Sequence, residues 1–267
     1  MELGCSTIGF GMVGLPEALE RIAALGFGTV EIGVLGDFCP HLDPMAPAAD
    51  TVARCGDLFA NHGLRLTALN AAPRLYCADP RDLDQLQAVA DRLLAIAAGL
   101  GCELILDVGE REPDLAPART RAARLARETF RRGRDVHGVR VTVEAPHRGM
   151  TAETAMEAVD LLDEVGEDEL RVTYDTSHAT AGGIGAAAGL ALIGDRVARV
   201  QLRDHIGDDV NVTPGDGEYE WPVLWPFLAA KPCPVTLELE FDGRLTPDAV
   251  AAETARARDF VRRSVAA

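Results

Sequence analysis

The sequence VRVTVEAPH at residues 139–147 is a β-branched run that ends in a carboxylate, Glu144, with a histidine three positions later. LRVTYDTSH at residues 170–178 repeats this arrangement with Asp175 and His178. Two further runs, VARVQLRDH at residues 197–205 and PVTLELE at residues 234–240, also end in polar side chains. Packing alone does not explain four consecutive strand-like segments that each finish in a potential metal ligand. We interpret their ends as parts of one site.

Short apolar runs alternate with helical patterns along the whole chain. Four runs precede the site segments, at residues 3–10, 28–34, 65–70 and 102–108. Glycine, a common helix stop, follows most of the helical patterns. These patterns are predicted at residues 15–25, 47–62, 80–98, 116–136, 151–165, 184–193, 221–230 and 246–265. Eight strand-then-helix units without a break in composition predict one (β/α)8 TIM-barrel domain that spans residues 1–267.

A doubly wound sheet is the alternative fold for such an alternation. It is suggested by GFGMVG at residues 9–14, which matches the glycine pattern of dinucleotide-binding loops. That motif also needs an acidic residue closing the second strand, whereas Glu31 lies inside its strand with further apolar residues after it. The barrel is therefore favoured. Residues 204–221, rich in Asp, Gly and Pro, are predicted to form a long loop over the active site.

Composition limits the classes of partner. The chain has 26 Lys and Arg against 42 Asp and Glu, a formal net charge of −16, which argues against a nucleic-acid substrate. Its six cysteines form no C-x-x-C pair, so reduced thiols are expected. The sequence has no leader pattern and no apolar run of spanning length, and we expect a cytoplasmic protein without a membrane partner. Small barrels often pair, so a homodimer is one expected assembly.

The strand ends provide the candidate metal ligands Glu144, Asp175, Gln201 and Glu238. In an α/β barrel the carboxyl ends of the strands converge on one face, so these side chains should meet there. Three clustered carboxylates repel one another unless a cation lies between them. Because all the ligand atoms are oxygens, Mn²⁺ or Mg²⁺ is expected. Glu240, two residues after Glu238, is the rival ligand on that strand.

Such a site is suited to polarising a carbonyl and stabilising the enediolate formed when a neighbouring C–H bond breaks. Glu144 and Glu238 are the candidate proton carriers, and His178 is a third candidate catalytic residue. The candidate substrate contacts are His147, Arg203 and His205.

Taken together, these segments resemble the xylose isomerase-like superfamily of TIM barrels, and the resemblance covers nearly the whole chain. It is carried by VEAPH, DTSH, QLRD at residues 201–204, PGDG at residues 214–217, LELE at residues 237–240, and GFGTVE at residues 26–31. The superfamily includes sugar (phosphate) isomerases and epimerases, inosose and 3-dehydroshikimate dehydratases, and type IV endonucleases. The resemblance implies a metal held at Glu144, Asp175, Gln201 and Glu238.

The sequence departs from the epimerase pattern at two points. Gln201 occupies the position where many epimerases have histidine, and a glutamine there is similar to the 3-dehydroshikimate dehydratases. The sugar-binding arginine of ketose 3-epimerases, a few residues further on, has no clear counterpart. The extra zinc-binding histidines of the endonucleases are not evident either.

Three functions are therefore expected, in descending order. The first is a divalent-metal-dependent sugar (phosphate) isomerase or epimerase, and the second is a dehydratase of the 3-dehydroshikimate or inosose type. The third is a barrel that binds a ligand without catalysis, which the three acidic ligand positions argue against. The expected substrate is a small polyhydroxylated or carbocyclic molecule.

Overall fold

The computed structural model describes residues 1–181, 183–241 and 243–266. Eight parallel strands form a closed barrel, which confirms the predicted (β/α)8 fold. The barrel strands are β1 (Leu3–Ser6), β2 (Thr29–Val34), β3 (Arg65–Ala71), β4 (Glu103–Leu106), β5 (Val141–Glu144), β6 (Arg171–Asp175), β7 (Val197–Leu202) and β10 (Val235–Leu237). A short hairpin of β8 (Asp204–Ile206) and β9 (Asp209–Val212) lies between the last two.

Helices follow the strands and surround the barrel. They are α1 (Leu15–Ala24), α2 (Ala48–His62), α3 (Leu83–Leu100), α4 (Leu115–Arg132), α5 (Ala155–Val165), α6 (Thr176–Ala181), α7 (Ala186–Ile193), α8 (Trp221–Ala230) and α9 (Pro247–Ala266). The barrel strands are buried on both faces, as expected of parallel strands covered by helices. Among the described helices, none has the length and apolar character needed to cross a bilayer.

The segment GFGMVG does not form a phosphate-binding loop between a strand and a helix in an open sheet. Its first residues belong to a 3₁₀ turn, Ile8–Phe10, which follows β1 at the barrel rim. Gly9 lies against the backbone of Leu239, and a Cβ at Gly9 would stand 2.6 Å from the Leu239 carbonyl oxygen. Gly11 is similarly close to the carbonyl oxygen of Phe38. These glycines are needed for close backbone packing.

Strand register brings the candidate site residues to one end of the barrel. Asp175 on β6 is level with Gln201 on β7, and Gln201 is level with Thr236 on β10. Glu238 follows β10 directly. Since parallel strands all point the same way, these residues lie at the mouth where the βα loops gather.

Candidate active site

Three carboxylates meet at the barrel mouth. Glu144 ends β5, Asp175 ends β6 and Glu238 follows β10, and all three are buried. One carboxylate oxygen from each lies within 4.8 Å of the others. These three residues therefore share one small, water-poor space.

Burial and mutual repulsion shift the proton affinity of two of these carboxyls. The pKa of Glu144 is raised from 4.5 to about 8, first by burial and then by the charge of Asp175. The pKa of Glu238 is also raised well above its ordinary value, by burial and by the neighbouring charges of Glu31 and Glu144. A cation bound between the carboxylates would lower both pKa values again.

Asp175 is held differently from its neighbours, because the DTSH segment turns directly into α6. Its Oδ1 accepts hydrogen bonds from the Ser177 backbone N–H at 2.8 Å, the Ser177 hydroxyl at 2.7 Å and the His178 N–H at 3.0 Å. Its Oδ2 accepts from Arg203 Nη2 at 2.9 Å and from Nε at 3.2 Å. Asp175 is thus oriented by five donors and anchors this side of the site.

Arg203 lies among the carboxylates with 1% of its surface exposed. Besides Asp175 it contacts Glu240 and donates to Asn211 Oδ1 at 3.0 Å, and its Nη2 lies 3.7 Å from Glu238 Oε1. Sequence reasoning assigned the whole balance of charge to a metal ion. The structure corrects this, since the protein supplies one cation of its own. The predicted contact of Arg203 with substrate stays a prediction.

His178 is fixed by Arg203 and His147. Its Nε2 lies 3.0 Å from Arg203 Nη2, and because a guanidinium can only donate, this nitrogen accepts. The ring proton therefore resides on Nδ1, which is buried and has no partner among the described residues. Burial and the nearby charges lower the pKa of His178 well below 6.5, so the ring is neutral.

His147 stacks on His178 with ring centroids 3.7 Å apart. Its Nδ1 donates to the Arg148 carbonyl at 2.9 Å, which leaves Nε2 as the acceptor, 3.6 Å from Glu144 Oε1. Burial lowers the pKa of His147 to about 4. Two neutral imidazoles therefore form one wall of the site beside Glu144.

Gln201 points its amide at two carboxylates. Nε2 donates to Glu31 Oε1 at 2.7 Å and also to Glu238 Oε2. Gln201 Oε1 is buried, and no group in the described chain bonds to it; the same is true of Glu144 Oε1. The carboxylates of Glu144, Asp175 and Glu238 form an oxygen-rich set that could hold a hard divalent cation, and the unpartnered Gln201 Oε1 is a candidate fourth oxygen.

The segment 204–221 is organised by Asp204. Its carboxylate accepts hydrogen bonds from the backbone N–H groups of His205, Gly215, Gly217 and Tyr219 and from Trp221 Nε1, at 2.9 to 3.1 Å. A Cβ on Gly217 would stand only 2.3 Å from Asp204 Oδ1, so this wrapping requires glycine. His205, a predicted substrate contact, is 8% exposed, and its Nδ1 lies 4.0 Å from Glu218 Oε2.

Two residues of the site were missed by sequence reasoning. Asn70 lies near the end of β3, and its Nδ2 donates a hydrogen bond to Glu238 Oε2 at 3.3 Å. Glu31 on β2 is fully buried inside the barrel and accepts from Gln201. The strand-end rule that selected Glu144 would also have selected Asn70. Glu31 gave no comparable signal, because it lies in the middle of an apolar strand.

The family and the relatives of the chain can now be compared with this geometry. The profile of the xylose isomerase-like TIM barrel family matches residues 19–263. The chain belongs to this family. This xylose isomerase-like barrel is 24% identical over 216 residues to the D-psicose 3-epimerase of Enterocloster bolteae, covering 76% of this chain and 68% of the relative.

Two solved structures illustrate the range of the fold. The probable 3-DHS dehydratase AsbF from Bacillus anthracis has a TM-score of 0.73 at 16% identity, covering 97% of this chain and 99% of that one. The IOLI protein, solved with a binding zinc atom, has a TM-score of 0.76 at 19% identity, covering 99% and 98%. At these identities the likeness establishes the fold. The sequence relative is a D-psicose 3-epimerase, which supports an enzyme.

Proposed function

We propose that this protein is a divalent-metal-dependent epimerase or isomerase that acts on a sugar-like hydroxy-carbonyl compound. The observation that carries the proposal is the meeting of three buried carboxyls, Glu144, Asp175 and Glu238, at the barrel mouth. Such a group suits a divalent cation, and a carboxylate held beside a substrate carbon can accept its proton.

Glu144, Asp175, Gln201 and Glu238 are the residues that would hold the metal. Their fit rests on the all-oxygen donor set and on the unpartnered Oε1 atoms of Glu144 and Gln201. When bound, a divalent cation supplies the positive charge that polarises a substrate carbonyl and stabilises the developing enediolate. Mn²⁺ and Mg²⁺ are the ions that this donor chemistry favours.

Glu144 and Glu238 are proposed to move the proton. Their strands, β5 and β10, are separated in the barrel by β6 and β7, so the two carboxyls approach the site from different sides. One can remove a proton from a substrate carbon while the other returns a proton to the opposite face. This two-sided exchange is what inversion of a stereocentre requires.

The histidines are proposed to act as hydrogen-bonding groups on the substrate. In the tautomer set by Arg203, His178 carries its proton on the unpartnered Nδ1 and can donate to a substrate oxygen. His147 carries its proton on the nitrogen bonded to Arg148, so its Nε2 is the acceptor. Both lowered pKa values keep the rings neutral at physiological pH.

A dehydratase is the second candidate, and Gln201 is the observation that favours it. The resemblance of this position to the 3-dehydroshikimate dehydratases agrees with the fold likeness to the probable 3-DHS dehydratase. In that reaction a carboxylate removes the proton and water leaves from the neighbouring carbon. The neutral His178 Nδ1–H is then a candidate donor to the leaving hydroxyl.

The two candidates give different products in one experiment. The protein loaded with Mn²⁺ is incubated in D₂O with a panel of ketopentoses and ketohexoses, and separately with 3-dehydroshikimate. The first proposal expects a stereoisomeric ketose together with deuterium in the recovered substrate. An ultraviolet-absorbing product from 3-dehydroshikimate alone would favour the dehydratase, and no turnover of either class would contradict both.

A further inference from the structure

A chain of buried polar contacts connects the interior of the barrel to the Gln201 amide. Arg199 lies on β7 two residues before Gln201, so both side chains point into the barrel. Arg199 is 1% exposed, and its Nη1 lies 3.3 Å from Glu31 Oε2. The other oxygen of Glu31 accepts from Gln201 Nε2 at 2.7 Å. Glu31 thus lies between a fixed cation and the amide.

This arrangement determines which end of the Gln201 amide faces each neighbour. The Glu31 carboxylate is paired with Arg199 and can only accept, and its Oε1 touches the amide nitrogen. Rotating the amide by half a turn would place its oxygen against that carboxylate. The contacts with Glu31 and Glu238 therefore keep the N–H₂ group between them and leave Oε1 without a protein partner.

We infer that Glu31 is a positioning residue. Held by Arg199, it orients the Gln201 amide so that the amide oxygen, and not the N–H₂ group, faces the metal. The inference rests on the proposed function, in which Gln201 is a ligand. Partners behind a metal ligand commonly contribute about 10- to 100-fold to metal affinity. Because Glu31 acts through Gln201, its effect should depend on which side chain occupies position 201.

Glu103 provides a matched control for this role. Its Oε2 lies 3.2 Å from Arg199 Nη2, so it shares the same arginine with Glu31. No contact joins Glu103 to Gln201 among the described residues. Glu103→Gln therefore weakens the ion pair of Arg199 without changing the acceptor of the Gln201 amide. Glu31→Gln leaves one acceptor oxygen for two donors, Arg199 and Gln201, and turns its own N–H₂ group towards one of them.

The test measures Mn²⁺ binding by isothermal titration calorimetry and by electron paramagnetic resonance of free Mn²⁺. Glu31→Gln is expected to weaken binding about 10- to 100-fold, whereas Glu103→Gln stays within about threefold of the unaltered protein. Equal Mn²⁺ affinities for the two variants would overturn the inference and leave the proposed function standing. No Mn²⁺ binding by the unaltered protein would overturn both.

A second background separates positioning of the amide from a general effect of position 31. Gln201→Leu removes the amide that Glu31 orients, so Glu31→Gln should cause no further loss of Mn²⁺ affinity in that background. A further loss of more than about threefold would show that Glu31 acts independently of Gln201 and would overturn the inference. If Glu31→Gln alone does not fold, Glu31→Asp, which keeps the charge and withdraws its oxygens from the amide, takes its place with the same expected outcomes.

Discussion

Two groups of largely buried charges lie in this barrel, and they are balanced differently. The inner cluster consists of Arg199, Glu31 and Glu103. The mouth cluster consists of Arg203, Glu144, Asp175, Glu238 and Glu240. In the inner cluster two carboxylates share Arg199, and Glu103 also lies 3.3 Å from Arg140. In the mouth cluster one arginine faces four carboxylates.

The comparison shows where the fold leaves charge uncompensated. Burying a carboxylate without a partner is costly, and the inner cluster avoids that cost by pairing its members. The mouth cluster does not, and the raised pKa values of Glu144 and Glu238 are the consequence. An uncompensated group of acids at the carboxyl ends of barrel strands is where catalysis is expected.

The largest expected effect comes from the mouth cluster. Glu144→Gln keeps the shape of the side chain and removes a proton carrier and a ligand oxygen, so turnover should fall by about 10³- to 10⁴-fold. The metal-free protein should be at least as stable as before, because one buried acid has been removed. Steady-state kinetics and thermal unfolding measure the two effects. Unchanged turnover would exclude Glu144 from the site.

The inner cluster should respond in the opposite way. Arg199→Met removes the guanidinium and leaves Glu31 buried without its counter-charge, which should lower the free energy of unfolding by about 3 to 5 kcal/mol. Urea unfolding followed by circular dichroism measures the loss. If Arg199→Met costs less than Glu144→Gln, the contrast between the clusters is wrong.

Because the pKa of Glu144 is raised, the stability of the metal-free protein and its affinity for Mn²⁺ should both depend on pH. The folded metal-free protein keeps a proton on Glu144 up to about pH 8, whereas the unfolded chain releases it near pH 4.5. Stability of the metal-free protein should therefore fall as pH rises through this window. Mn²⁺ requires the ionised carboxylate, so its affinity should rise by about tenfold per unit of pH up to about pH 8. Glu144→Gln should reduce both pH dependences, and the raised pKa of Glu238 should account for what remains. Titration calorimetry and thermal unfolding at several pH values can check this.

Much of this architecture was accessible from the sequence, because the barrel repeats one local pattern. Helix α8 begins and ends at the predicted residues, since a proline at its second position and apolar spacing mark it locally. The strands that end in Glu144 and Asp175 were recognisable for the same reason. Register then brings their ends together without further information.

The partners inside the barrel were not accessible in this way. Glu31 and Gln201 are 170 residues apart, and their contact exists only after the barrel closes. Both faces of a buried parallel strand are apolar, so periodicity does not reveal that Glu31 points inward. Likewise, two of the five hydrogen bonds to Asp175 come from Arg203, which follows β7 and is 28 residues away in sequence.

The smallest effect is expected for a polar contact that lies outside both clusters. The three effects described above can be compared with it as a reference. Thr154 caps α5 by accepting from the Glu157 N–H at 3.2 Å, while Glu157 Oε2 accepts from the Thr154 N–H at 3.1 Å. Thr154→Ala should cost about 1 kcal/mol of unfolding free energy. Turnover and Mn²⁺ affinity should stay unchanged, since α5 begins only after the loop that carries His147. A loss of turnover in Thr154→Ala would mean that the start of α5 helps to position the mouth cluster. Residues outside the barrel interior would then contribute to catalysis as well as to stability.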